Sequence, residues 1–501
     1  MIEPKPSFLR NILVRALICG VAVLAIRFAY VVTVAGGSCD LGDFCFFSLP
    51  ENLNLNLVIA GTATSATEAA PIAPPTRDVR KGKDWIRAVK FYSSVFEDLI
   101  SEEFLSPSFK SLCVESVSGD DVHALKEIGV KNSVGVAGKS SRALAKYRDG
   151  TFDFVFCGGG RFDWVPQPAN LAAEMQRTLK PKGFIVVHVR ANDTYSFNSF
   201  LQLFDDCRLL RMLDINGFDP AMAQIREIIL KKESDFHVRN NLGSKPSSKS
   251  GNKCEVPAYK QRIVAGAEPL IEEEPLKPWL TLKRNLADIK YLPSIVDISF
   301  KSKYVYVDIG ARSYGSSIGS WFRKQYPKQN KTFEVYAIEA DKHFHNDYKR
   351  KKGVTLLPYA AWVRNESLFF EINRDTDQKV QEKGRGMGRI QPGQSSARPN
   401  NGDVEKITAF DFAEWLKRTV SEKDFVVVKM DVEGTEFELI PRLFKTGAIC
   451  LIDEIFLECH YNRWQRCCPG VRSSKYEKTY GQCLELFTSL RQSGVLVHQW
   501  W

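Results

Sequence analysis

Short apolar runs alternate with amphipathic stretches along most of this chain, the rhythm of strands and helices in an α/β protein. In the first half the runs are SLCVES from Ser111, SVGVAG from Ser133, FDFVFC from Phe152 and GFIVVHV from Gly183. Between them lie an amphipathic stretch from Asp120 to Ile128 and a helical pattern around Leu171 to Leu179. Ahead of them, Asp84 is placed to cap a helix that carries Trp85, Val89, Tyr92, Phe96 and Leu99 on one face. The second half repeats the alternation with YVYVDIG from Tyr304, EVYAIEA from Glu334, VTLLPYAA from Val354, SLFFEIN from Ser367 and VVVKMDVEG from Val426. IDEIFLECH from Ile452 and a last strand VLVHQWW from Val495 complete it, with helices predicted around Ser317 to Gln325 and His343 to Lys351. β-Branched and aromatic residues dominate these runs, so two α/β domains in tandem are expected.

The segments between read as connections. Ala16 to Ala35 is apolar, follows Lys5, Arg10 and Arg15, and is about the length that spans a bilayer. Its ten Leu, Ile, Val and Phe residues favour insertion by roughly 0.3 to 0.6 kcal/mol each, against a cost of roughly 2.5 to 3.5 kcal/mol for Arg27. Insertion is thus marginal but favourable, with the N-terminus in the cytosol and the bulk of the chain across the membrane. A cleaved signal peptide ending near Ala35 is the rival reading. Sequons at Asn192, Asn330 and Asn365 would be glycosylation sites on the far side. The resulting division is a cytosolic tail 1–15, a membrane anchor 16–35, a stem 36–83, a first α/β domain 84–235, a linker 236–268 and a second domain 269–501. A Gly-, Arg- and Gln-rich loop from Arg374 to Gly402 is long enough to close over a site.

The net charge of +10 is spread along the chain without a basic stripe or interleaved aromatics, so no nucleic-acid partner is expected. Twelve cysteines include no C-x-x-C pair, which excludes a zinc ribbon or a thioredoxin-type site. Five of them, Cys450, Cys459, Cys467, Cys468 and Cys483, crowd the C-terminal region. They fit disulfides in an oxidising compartment or buried hydrophobes in a reducing one.

The candidate chemistry lies at strand ends in the second half. Asp308 ends the Tyr304 run, and Gly310 and Gly315 permit a sharp turn and close approach to a nucleotide-like ligand. VVVKMDVEGTEFELI repeats the strand-then-acid pattern. Asp431 and His460, at the ends of the fourth and fifth strands, are expected to point into the crevice. Glu433 and Glu436 open the next helix, where carboxylates also serve as N-terminal charge partners. Asp431, Glu458 and His460 could instead hold a metal ion, but their spacing defines no coordination geometry and none is assigned.

DIGA at 308–311, AIEA at 337–340, LPYAAW at 357–362 and KMDVEGTE at 429–436 follow one another in the order and spacing of the FkbM-type family. The chain resembles those class I S-adenosylmethionine-dependent methyltransferases over about residues 300–501. RTLKPKGFIVVHV at 177–189 resembles the later part of a class I methyltransferase, but VESVSGDD puts Val117 where that family has a glycine loop. The first domain is therefore expected to be degenerate. With the anchor, the arrangement is similar to plant membrane-anchored methyltransferase-like proteins. The resemblance implies two Rossmann-like domains and S-adenosylmethionine as cofactor. It places Asp308, Gly310 and Gly315 around the cofactor's methionine part and Glu339 on its ribose hydroxyls. For methyl transfer to a hydroxyl, Asp431 could orient the acceptor or bind the cofactor's charged end, and His460 is the candidate general base, its ordinary pKa lying near neutrality. Four residues separate Gly310 from Gly315, where the family usually has three. The implied activity is O-methylation of a lumenal, glycan-like acceptor in the Golgi or endoplasmic reticulum membrane; the alternative is an inactive scaffold of the endomembrane system.

Overall fold

A computed structural model describes residues 82–137, 141–233, 256–372, 388–391, 403–465 and 470–500. The membrane span expected at 16–35, nearly all of the stem, most of the linker and most of the 374–402 loop lie outside the described residues. Among those described, no helix is long and apolar enough to cross a membrane.

The first half opens with helix Lys83–Ser101, which buries Val89, Tyr92, Phe96 and Leu99 on the expected face. Asp84 is not its cap: Gly82 precedes the helix, and Asp84 sits in the first turn beside Arg87. Six strands follow: β1 (Ser111–Val114), β2 (Ser133–Val136), β3 (Phe152–Cys157), β4 (Leu179–Val189), β5 (Cys207–Asn216) and β6 (Gln224–Lys232). Their order is β2-β1-β3-β4-β6-β5, parallel through β4 and antiparallel in the closing hairpin. The periodicity did not predict that hairpin: its edge strand β5 is exposed or half-buried throughout and carries no sustained apolar run, and β6 carries only a short one, Ile228–Leu230, set between charged residues.

The second half holds β7 (Tyr304–Ile309), β8 (Phe333–Ile338), β9 (Thr355–Leu357), β10 (Ala360–Trp362), β11 (Glu366–Ile372), β12 (Gly388–Gln391), β13 (Asp403–Asp411), β14 (Phe425–Met430), β15 (Glu454–Glu458) and β16 (Leu496–Trp500). An all-parallel sheet runs β16-β15-β14-β7-β8-β9, and a separate small sheet runs β10-β13-β11-β12. The run VTLLPYAA, read as one strand, breaks after Leu357 around Pro358, and its two pieces join different sheets.

Both faces of the parallel sheet are covered. Val305, Val307, Val426 and Val428 pack with Leu416, Leu439, Ile440 and Phe487 from the helices on one side. Tyr304, Tyr306, Val427 and Phe456 pack with Ile318, Trp321 and Phe322 on the other. Two-sided burial is the condition under which an all-parallel sheet is stable. The helix expected from Ser317 to Gln325 is a short, wide turn over Ile318–Phe322, whose Phe322 ring stacks on Tyr306 at 3.8 Å.

The halves interlock. Phe300 of the second half sits in the first half's core against Phe162 and Phe200, with ring centroids 6.2 and 5.5 Å away. In return, the Tyr195 hydroxyl donates to buried Asp453 at 3.1 Å. The linker expected over 236–268 is also shorter than that. Helix Ala258–Ala265 and buried Glu268 belong to the second half, where Glu268 bonds His498 at 2.6 Å.

Candidate functional site

A cavity opens at the carboxyl ends of β7, β8 and β14, where parallel sheets of this order bind ligands. Gly310, Arg312, Glu339, Phe344 and Asp431 line it, and Phe370 and Ile390 of the small sheet close one side. Glu339, directly after β8, is placed as expected. Its carboxylate accepts the backbone N–H groups of Arg312 (2.7 Å) and Asp341 (2.6 Å). Burial pushes its pKa up to about 7 despite those donors.

The two motif glycines part company. Gly310 has φ +76°, and a Cβ there would lie 1.8 Å from the Asp431 carbonyl oxygen, so the turns after β7 and β14 are in contact. Gly315 is exposed, a Cβ on it would meet nothing within 4 Å, and it does not line the cavity. Its expected cofactor contact is therefore corrected. Asp308 does not line the cavity either. It is wholly buried, with Oδ2 accepting from the Ser317 and Tyr306 hydroxyls. Oδ1 makes no hydrogen bond among the described residues and lies 3.6 Å from Lys429 Nζ. Lys429 in turn stands 3.4 Å from Asp431 Oδ2, so Asp308 acts on the site by holding the cation that holds Asp431. Burial raises the Asp308 pKa, and Lys429 opposes the rise.

Beside the cavity, β14 and β15 deliver Asp431, Glu458 and His460 to one point. Glu436 Oε1 accepts the His460 backbone N–H at 2.6 Å and lies 3.3 Å from Nδ1. Nε2 faces Asp431, Glu458 and Glu433 oxygens at 3.7, 3.8 and 3.9 Å. Glu433, in a left-handed turn at φ 52°, is itself held by Lys475 at 2.8 Å and by the Tyr476 hydroxyl. Burial alone would lower the imidazole pKa, but Glu436, then Glu433 and Glu458, carry it up to about 10. These carboxylates favour the protonated ring over the free base, the opposite of what the reading of His460 as general base expects. Glu458 is pushed up to about 7 by burial and then by Asp431, while Lys429 and His460 hold Asp431 below its ordinary value. Glu436 is more than a helix-end charge, since it fixes His460. Only the folded approach of the helix start to the end of β15 reveals that.

In the first half, the corresponding strand ends are bridged by salt links. Arg161, in the turn after β3, donates to Asp120 at 2.8 Å and Asp121 at 2.9 Å, and its guanidinium lies over the Tyr92 ring. Val117, expected to crowd a ligand, points outward at 70% exposure. Arg161 instead ties together the carboxylates that open the helix following Val117.

Comparisons with known proteins divide along the same line. Residues 116–187 match the model of a methyltransferase domain, and residues 264–369 and 391–501 match that of a domain of unknown function, DUF7870. No curated protein matches the chain. Among solved structures, a SAM-dependent methyltransferase from Methanosarcina mazei is 11% identical, covering 27% of this chain and 98% of its own, with a TM-score of 0.22. A SAM-dependent methyltransferase from Aquifex aeolicus is 14% identical, covering 27% and 88%, with a TM-score of 0.22. The Burkholderia thailandensis 1,6-didemethyltoxoflavin-N1-methyltransferase, solved with S-adenosylhomocysteine, is 12% identical, covering 33% and 94%, with a TM-score of 0.24. The first half is thus an α/β domain that is similar, over residues 116–187, to a methyltransferase domain.

Proposed function

We propose that the chain is an S-adenosylmethionine-dependent methyltransferase of FkbM type whose donor site is the cavity of the second half. The observation that carries this is Glu339: a carboxylate at the end of the strand next to the central one, facing a cavity with aromatic and aliphatic walls. That donor set fits a nucleoside, with Glu339 accepting the ribose hydroxyls and Phe344, Phe370 and Ile390 flanking the base. Asp431 stands at the opposite edge, placed for the cofactor's ammonium group or the acceptor. When bound, the cofactor supplies a methyl group on a sulfonium. The chain's own part is to align an oxygen acceptor with that methyl and to take up the acceptor's proton, which falls to the cluster around Asp431 and Glu458. The first half, with Arg161 salt-linked to Asp120 and Asp121 at its strand ends, serves as a scaffold.

A lumenal placement and a glycan-like acceptor complete the reading. They are supported by the Cys459–Cys483 disulfide and by the exposure of Asn192, Asn330 and Asn365. Calorimetric titration of S-adenosylmethionine into the full chain is the test. One site is expected, weakened at least about tenfold by Glu339→Gln as a charge-assisted acceptor is lost. Absence of heat at millimolar ligand would sink the proposal.

A further inference from the structure

We infer that Asp431, Glu458 and His460 form a binding site for one divalent cation of the manganese-to-zinc series. One ligand atom from each lies within 4.8 Å of the others. The arrangement is built at the sheet's edge: Asp431 follows β14, Glu458 ends the adjacent β15 and His460 lies two residues beyond it, and all three converge.

The imidazole supplies the second observation. His460 is only 8% exposed, yet its Nε2 makes no hydrogen bond among the described residues and is aimed into the carboxylates. Its separations of 3.7 Å from Asp431 Oδ1 and 3.8 Å from Glu458 Oε1 are too long for hydrogen bonds. They match the chord between two ligands that each lie about 2.1 Å from a shared ion and subtend roughly 120°. The surroundings are those of a supported metal ligand. Glu436 engages Nδ1 and leaves Nε2 to face the ion, while Lys429 occupies Asp431 Oδ2 and leaves Oδ1 for it. One imidazole with two carboxylates suits Mn²⁺, Fe²⁺, Co²⁺ or Zn²⁺ better than the all-oxygen cages of Ca²⁺.

Three protein ligands leave coordination positions open, and Asp431 also lines the cavity. An acceptor hydroxyl bound to the ion would therefore lie beside the methyl donor and lose its proton more readily. This role, though not the binding itself, rests on the donor-site reading above.

Mn²⁺ titrated into the metal-stripped full chain without donor, followed by electron paramagnetic resonance, tests the site. One ion per chain is expected, with Glu458→Gln and His460→Gln each weakening binding by at least about tenfold. Pulsed resonance should show nitrogen coupling from one imidazole. A folded wild-type chain that binds neither Mn²⁺ nor Zn²⁺ at about millimolar metal would overturn the assignment. So would bound Mn²⁺ without nitrogen coupling, an outcome that decides the question even where a variant fails to fold. Metal binding without S-adenosylmethionine binding upholds the site and rejects the donor reading; donor binding without metal binding does the reverse.

Discussion

Replacing Gly310 by alanine tests whether the contact between the two site-bearing turns governs the second half. Alanine in the left-handed conformation at φ +76° costs about 1 to 2 kcal/mol. The added Cβ would stand 1.8 Å from the Asp431 carbonyl oxygen, where 3.0 Å is the practical minimum, so the turns must separate by at least 3.0 − 1.8 = 1.2 Å. Overpacking of that kind costs about 1 to 3 kcal/mol, giving about 2 to 5 kcal/mol together. That is a large fraction of the about 5 to 15 kcal/mol that holds a typical protein folded. Gly315→Ala is the matched control, because its position is open and its φ is not in the left-handed range. It should change stability by no more than about 0.5 kcal/mol. Urea unfolding of the full chain followed by tryptophan fluorescence reads both. Equal midpoints for the two variants would refute the reasoning, and so would a Gly310→Ala chain as stable as wild type.

Buried His498 is flanked by Glu268 at 2.6 Å and Glu454 at 2.9 Å; burial alone would lower its pKa, but these partners raise it from 6.5 to about 8. A raised histidine stabilises the fold fully below pH 6.5, so about 2 kcal/mol should be lost as pH climbs through about 8, and urea midpoints flat between pH 6 and 9 would contradict this. Glu268 is held below its ordinary range against the effect of burial, so a further loss is expected as it protonates in acid. Cys483→Ser opens a loop of 24 residues' separation and should cost about 3 kcal/mol, read as an unfolding midpoint shift that reductant reproduces in wild type.

The parallel strands were legible because both of their faces are buried, leaving dense apolar runs such as YVYVDI and FVVVKM. Edge strand β5, the short β12 and the alternating β13 lack that signature, so of the small sheet that walls the cavity only β11 and the piece that became β10 were read. At the site, strand-end position was enough to find Glu339 and Asp431. It did not distinguish Gly310 from Gly315, since the reason for the first is an oxygen 121 positions away in sequence, at Asp431. Charge state was likewise out of reach. His460 reads as a neutral base until Glu436, Glu433 and Glu458 are seen around it.

Phe300 and Tyr195 carry a consequence for how this chain is made. Residues 82–233 leave the ribosome first, and the slot beside Phe162 and Phe200 then has no occupant until Phe300 is synthesised. Tyr195 likewise waits for Asp453 to be synthesised before its hydroxyl can make its buried bond. Each half is a mould for the other's last core position, so a chain cut between them should yield two sticky, aggregation-prone pieces in place of two working domains.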